Sequence, residues 1–295
     1  MPMVAVLAVL LAAAGCRPGR QRPAGVDTTE LASRAARVEQ ALAKADTGKD
    51  RAKPIARWVL PGHLAEISGL ALTADGRLLA HNDEIGRIFE IDYRSGVIRK
   101  QFLVGRTPVR GDFEGITVAN QAIYLLASDG KLFEFREGGD GTRVGYKLYD
   151  TRLGRECEFE GVAFDPAIGS LLLACKNVGK KSLQGSLVIY RWKLGGGSPA
   201  SPLSIPLKQA IGSNRWKGLH PSDITVDPSN GHYVLVSAQE EAYIELTPSG
   251  QVVSARPLPG GHAHTEGVAI TKDGVLILSD EAGKNAAAIT LYRWR

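Results

Sequence analysis

The chain has 295 residues, of which 44% are hydrophobic and 6% aromatic, with a formal net charge of +5. A closed all-β structure can occupy this length as one unit, and the charge is modest, with no basic stripe interleaved with aromatics, which argues against nucleic-acid binding. Helical periodicity is confined to the start. Beyond about residue 55, short apolar runs alternate with Gly, Asp, Asn and Pro, the pattern of short strands and turns.

Met3 to Ala14 is an apolar run with the length of a secretory h-region, too short to span a bilayer. It leads into Leu11-Ala12-Ala13-Ala14-Gly15-Cys16, which resembles the bacterial lipobox. The expectation is a signal peptide over residues 1–15, with Cys16 as the lipidated first residue of an envelope lipoprotein facing the periplasm or the outer surface. An ordinary cleaved signal or an uncleaved anchor is the alternative.

Residues 16–54 read as a tether followed by a short helix. Arg17 to Gly25 is rich in Pro, Gly and Arg, a flexible composition. Asp27-Thr28-Thr29-Glu30 then supplies an N-cap pattern, and Leu31, Ala35, Val38 and Leu42 form a narrow apolar stripe ending near Asp46-Thr47-Gly48. A stripe this thin predicts weak docking or a stalk.

From residue 55 to 295 one pattern returns. Glu66-Ile67-Ser68-Gly69-Leu70-Ala71 is echoed by Asp112-Phe113-Glu114-Gly115-Ile116-Thr117, Glu158-Phe159-Glu160-Gly161-Val162-Ala163, His220-Pro221-Ser222-Asp223-Ile224-Thr225 and His264-Thr265-Glu266-Gly267-Val268-Ala269. The anchors Gly69, Gly115, Gly161, Asp223 and Gly267 are 46, 46, 62 and 44 residues apart, a period typical of propellers and solenoids. Each repeat reads as several short strands; the long third interval holds an insertion at Leu194 to Leu219, too short for a further blade. The fifth repeat runs out after three strands, and Ile55 to Leu60, which precedes the first, has no partner of its own. Pairing the two closes a five-bladed β-propeller and removes the exposed edges.

Cys157 and Cys175 flank the predicted hairpin of the third repeat. They form either a disulfide across it or two buried thiols.

In a propeller the first strand of each blade lines the central channel, so Ser68, Glu114, Glu160, Ser222 and Glu266 are expected to converge. Three carboxylates in a small space either keep their protons or hold a cation. Hydroxyls and carboxylates form a hard oxygen shell suited to Ca²⁺. Two residues earlier, Glu66, Asp112, Glu158, His220 and His264 lie nearer the mouth, and His220, His264 and Glu66 are the candidates for proton transfer. Arg106, Arg110, Arg152, Arg155, Arg215 and Lys217 are placed on inter-blade loops, where a basic rim would suit a small anionic ligand. Acidic loops such as His81-Asn82-Asp83-Glu84 and Asp280-Glu281 dilute that argument.

The ordered set of Glu66-Ile67-Ser68-Gly69-Leu70, His81-Asn82-Asp83-Glu84, Phe113-Glu114-Gly115-Ile116, His220-Pro221-Ser222-Asp223-Ile224 and Thr265-Glu266-Gly267-Val268 resembles the SdiA-regulated (YjiK-like) propeller family over residues 55–295. That resemblance implies an envelope-associated propeller without a firmly assigned reaction. The chain is also similar to esterase-like phytase and strictosidine-synthase-like propellers, and its Ser, Glu, Glu, Ser, Glu order resembles the calcium shell of calcium-dependent nucleotidases. The leading expectation is a monomeric, lipid-anchored propeller centred on Ca²⁺ that binds a small anionic ligand or an envelope protein. The alternative is a Ca²⁺-dependent hydrolase of phosphate or carboxylic esters.

Overall fold

The structure is a computed structural model that describes residues 28–45, 52–197 and 200–294. The expected signal peptide, Cys16 and the tether lie outside the described residues.

Five antiparallel sheets follow one another around a ring. The innermost strands are Ile67–Leu72, Phe113–Ala119, Cys157–Asp165, Asp223–Val226 and Thr265–Ile270. Each is followed by a second strand, Leu78–Asn82, Ala122–Ala127, Ser170–Val178, Tyr233–Ser237 and Val275–Asp280 in turn. Two further strands complete each of blades one to four. The fifth blade takes its outermost strand from the other end of the chain: Ala56–Val59 pairs with Ala288–Arg293, in register from Ala56 opposite Leu291 to Val59 opposite Ala288. The predicted ring closure is thus present.

The outer strand of blade two is Tyr146–Asp150, while Arg143–Val144 crosses over to pair in parallel with Val97–Val104 of blade one. The insertion of the third repeat contains that blade's outer strand, Ala200–Pro206, and a short helix, Leu207–Ile211.

The first and second strands of each blade bury both faces because the sheets stack side by side around the ring, so the core is divided among the interfaces between blades. Five clusters occupy them. Leu78 and Phe89 of blade one meet Ile277 and Ile289 of blade five, and Phe102 and Ile116 join blades one and two. Phe159 and Tyr124 join blades two and three, Leu187 and Leu235 blades three and four, and Val236 and Val268 blades four and five. Buried hydrogen bonds pin some of these contacts: Tyr233 donates to Asp165 at 2.5 Å, and the Trp294 indole donates to Asp227 at 2.7 Å.

Cys157 and Cys175 are joined in a disulfide with Cα atoms 5.6 Å apart, so the pairing alternative holds. The N-terminal helix, Thr28–Ala45, lies against the ring instead of standing off as a stalk. It buries Leu31, Val38, Leu42 and Ala45, and Val38 and Leu42 join the cluster between blades one and five. Among the described residues, no helix is long and apolar enough to cross a membrane.

The closing strand is held by more than its ladder. The Trp58 indole donates to the Tyr93 carbonyl at 2.7 Å, its ring packs against Gly96, and the Arg34 guanidinium lies 5.8 Å from the ring centroid. Gly96 has φ of +74°, and a Cβ there would fall 2.5 Å from the Trp58 ring, so both the turn and the packing call for glycine. Replacing Trp58 with Ala should remove these contacts and cost about 2 kcal/mol, less than a fully buried aromatic because Trp58 is partly exposed. Chemical denaturation monitored by circular dichroism measures the loss; an unchanged midpoint would show that closure rests on the backbone ladder alone.

Candidate functional site

The inner strands are not regular at their starts. In blade one, Ile67 lies opposite Asn82 and Gly69 opposite His81, so Ser68 is an extra residue. The same shift isolates Glu114 between Phe113 and Gly115 and Glu266 between Thr265 and Gly267. In blade three the irregularity falls between Phe159 and Val162, at Glu160-Gly161. A β-bulge re-aims the side chain of the extra residue and increases the local twist. Four of the five predicted ring residues therefore sit at bulges. The fifth, Ser222, immediately precedes its strand, with its amide donating to the Val236 carbonyl at 2.9 Å.

The glycine after each bulge has a separate task. A Cβ on Gly115 would lie 2.9 Å from the Val162 amide nitrogen and 3.1 Å from the Gly161 Cα; one on Gly161 would lie 2.8 Å from the Asp223 Cα. Such distances are too short for any side chain, so these positions form a collar where neighbouring inner strands touch. Asp223 breaks the glycine pattern and puts a carboxylate in the collar. It is buried and accepts from the Val268 amide at 2.8 Å, tying blade four to blade five.

Ser68, Glu160 and Glu266 lie around Glu114. Ser68, Glu160 and Ser222 are buried, Glu114 and Glu266 nearly so. The Ser68 hydroxyl lies 3.4 Å from a Glu114 carboxylate oxygen. Ser222 instead donates to the Thr265 carbonyl at 2.5 Å, so its hydroxyl serves a blade-to-blade contact.

Sequence reasoning missed Lys176. Its ammonium is ion-paired with Glu160 inside the ring. Lys176 owes this position to a second irregularity: Glu158 pairs with Asn177 and Phe159 with Cys175, which leaves Lys176 extra on its own strand. The disulfide from the adjacent Cys175 to Cys157 fixes both strands at this point. The signal in the sequence was the odd lysine among Asp83, Ser128 and Glu281 at comparable strand ends.

Burial, then the neighbouring charges of Glu160 and Asp112, pushes the Glu114 carboxyl up to about 9. Burial, then Glu160 and Glu281, pushes Glu266 up to about 8. Glu160 is also raised by burial, but its bond to Lys176 opposes the shift. Burial works against the Lys176 ammonium, yet Glu160, Glu266 and Glu114 together hold its pKa above the ordinary lysine value. One resident cation thus faces three carboxylates.

The second column is more exposed than the ring. Glu66 and His264 are exposed and His220 is half-buried. His220 Nδ1 lies 2.9 Å from the Glu240 carboxylate, which also accepts from the His220 amide and from Ser237. His264 Nδ1 is 3.6 Å from Glu281, a looser pairing. Glu66 stands close enough to Asp83 to raise that residue's pKa, after the larger effect of burial. A further histidine, His262, is locked between Asp280 at 2.8 Å and the Tyr292 hydroxyl at 2.8 Å, and serves packing.

A divalent cation fits the chemistry of this donor set, which is buried, hard and short of positive charge. Among the described residues, no three His, Cys, Asp or Glu side chains stand close enough together to grip a metal ion as placed. Lys176 would have to withdraw and the carboxylates close in for one to bind.

The family model described as SdiA-regulated matches residues 208–293, which contain all of blade four and the three C-terminal strands of blade five. The match covers less than half of the chain. Among solved structures, the glutaminyl cyclase of Myxococcus xanthus is 14% identical, with a TM-score of 0.54 over 81% of this chain and 94% of that one. The PQQ-bound aldose sugar dehydrogenase of Streptomyces coelicolor is 14% identical over 80% of this chain and 98% of that one, with a TM-score of 0.49. A gluconolactonase of Xanthomonas campestris is 18% identical over 77% and 72% of the two chains, with a TM-score of 0.48. At 14% identity the likeness to the glutaminyl cyclase is one of fold. No curated protein matches the sequence.

The raised carboxyls give a pH dependence of definite sign. Between the ordinary value of 4.5 and the folded values of about 8 and 9, the folded state binds more protons than the unfolded chain. Stability therefore falls as pH rises through that window. In metal-free buffer the melting temperature should be higher near about pH 5.5 than near about pH 9, and Glu114→Gln should flatten the slope. An unaltered slope in that variant would remove Glu114 as its source.

Proposed function

We propose that the protein is an envelope lipoprotein whose propeller carries a Ca²⁺ site at the ring of Ser68, Glu114, Glu160, Ser222 and Glu266, and that this site binds a ligand or partner at the mouth. The observation that carries the reading is the imbalance in the ring: three bulged, largely buried glutamates lie near a single ammonium, which is ion-paired with only one of them, Glu160. Structural packing alone would be served better by apolar side chains, since buried carboxylates are costly to ionise. Glu114, Glu160 and Glu266 would hold the ion, with Ser68 beside Glu114 as a hydroxyl donor. Ser222 contributes only if its hydroxyl turns away from Thr265. When bound, such an ion would neutralise the ring and attract an anionic group to the mouth.

Lys176 acts in this reading as a tethered competitor, holding the ring together while the ion is away. A second reading, hydrolysis of phosphate or carboxylic esters, draws on the His220 and Glu240 pair. The carboxylate holds Nδ1, which leaves Nε2 as the ring nitrogen able to take a proton. His264 and Glu66 are the other groups at the mouth able to move protons.

The competition makes the proposal testable. Calcium at about 1 mM, within the affinity range of extracellular sites, should raise the melting temperature over that in chelator. Lys176→Met should bind calcium more tightly than the wild type, and Glu114→Gln should lose the response. If neither the wild type nor Lys176→Met responds, the ring holds its own lysine permanently and the calcium reading fails. Turnover of an ester panel that is lost in His220→Ala and retained in His262→Ala would favour the hydrolase.

A further inference from the structure

The ring occupies only the starts of the inner strands, and a cavity lies at their other end. It has a volume of 770 Å³ and opens on the face opposite the mouth. The collar of Gly69, Gly115, Gly161, Asp223 and Gly267 stands between the two, so the cavity is reached from its own face.

Its lining repeats with the blades. Three positions after each collar residue come Leu72, Val118, Phe164, Val226 and Ile270, all apolar and all on the cavity wall. The first four are only partly buried: one side of each packs on the cluster between blades, and the other is left to the cavity. One position earlier the wall carries the small residues Ala71, Thr117, Ala163 and Thr225, which keep the channel wide. The apolar positions lie along the strands and the charged ones lie at the edge, and pockets of this size suit small molecules.

The rim restricts the charge of an occupant. Asp75 is bound by Arg77 at 2.9 Å, and Arg94 is held by Asp273 at 2.8 Å and by Glu39 of the N-terminal helix. Lys272 donates to the Ala74 carbonyl. Opposite charges thus already meet each other at the edge, and a charged ligand would have to displace them.

We propose that this cavity is a second binding site, separate from the ring, for an uncharged and predominantly apolar small molecule. Five apolar side chains grip the body of the ligand, and Thr117 and Thr225 are among the polar groups of the wall.

The test uses the uncharged fluorophore N-phenyl-1-naphthylamine with the full chain. The expected result is saturable fluorescence enhancement at one probe per protein. Val118→Asp places a charge in the apolar ring and Thr225→Phe fills the cavity; each should weaken binding about tenfold or more, with the fold checked by circular dichroism. Glu114→Gln should leave probe binding unchanged whether or not the ring takes calcium, which separates this site from the one proposed above. Should Val118→Asp fail to fold, Thr225→Phe decides alone. Absence of saturable binding by the folded wild type, or undiminished binding by folded Thr225→Phe, overturns the proposal.

Discussion

The close approach of five inner strands at the collar is the constraint on which the rest of the structure depends. At Gly115 and Gly161 the neighbouring backbones come so near that no Cβ fits, and this contact fixes how wide the channel can be. Side chains just before the collar are forced together, and those after it diverge around a cavity. One ring of contacts thereby divides the channel into a polar end and an apolar end.

Convergence alone would leave the ring residues facing neighbouring blades, because side chains on a regular strand alternate between its two faces. The bulges redirect them. Ser68, Glu114, Glu160 and Glu266 gain their common aim from one extra residue per blade, and Lys176 gains its own from a bulge on the facing strand. Electrostatics then follows from geometry: carboxylates brought together in a buried site resist ionisation, and the ammonium of Lys176 relieves part of the repulsion. The disulfide beside Lys176 belongs to the same arrangement, since it joins the two irregular strands where the ion pair forms.

The N-terminal helix shows how packing extends a weak sequence signal. Its stripe is narrow, but Val38 and Leu42 reach a cluster already built by blades one and five, and Glu39 meets Arg94. The helix is thereby tied to the cavity face and not to the mouth. Its docking draws on surface that the propeller supplies, which a helical pattern read by itself cannot reveal.

The sequence by itself determined the blade count, the closing strand and the column of equivalent positions at the strand starts, because all three are written as a repeat. Ser68 aligns with Glu114 whether or not the strands are known to bulge, and Ile55 to Leu60 is left over whatever the fold. It did not determine that Lys176 enters the ring or that Asp223 bridges blades. It left the pairing of Cys157 with Cys175 open, and it gave no sign of a cavity at the far end. Those depend on register between strands and on contacts between blades, where a shift of one residue changes which way a side chain faces. Lysine at position 176 reads as a solvated loop residue until the bulge that turns it inward is known. Only the tertiary structure could decide that, because the bulge is a relation between two strands and belongs to neither alone.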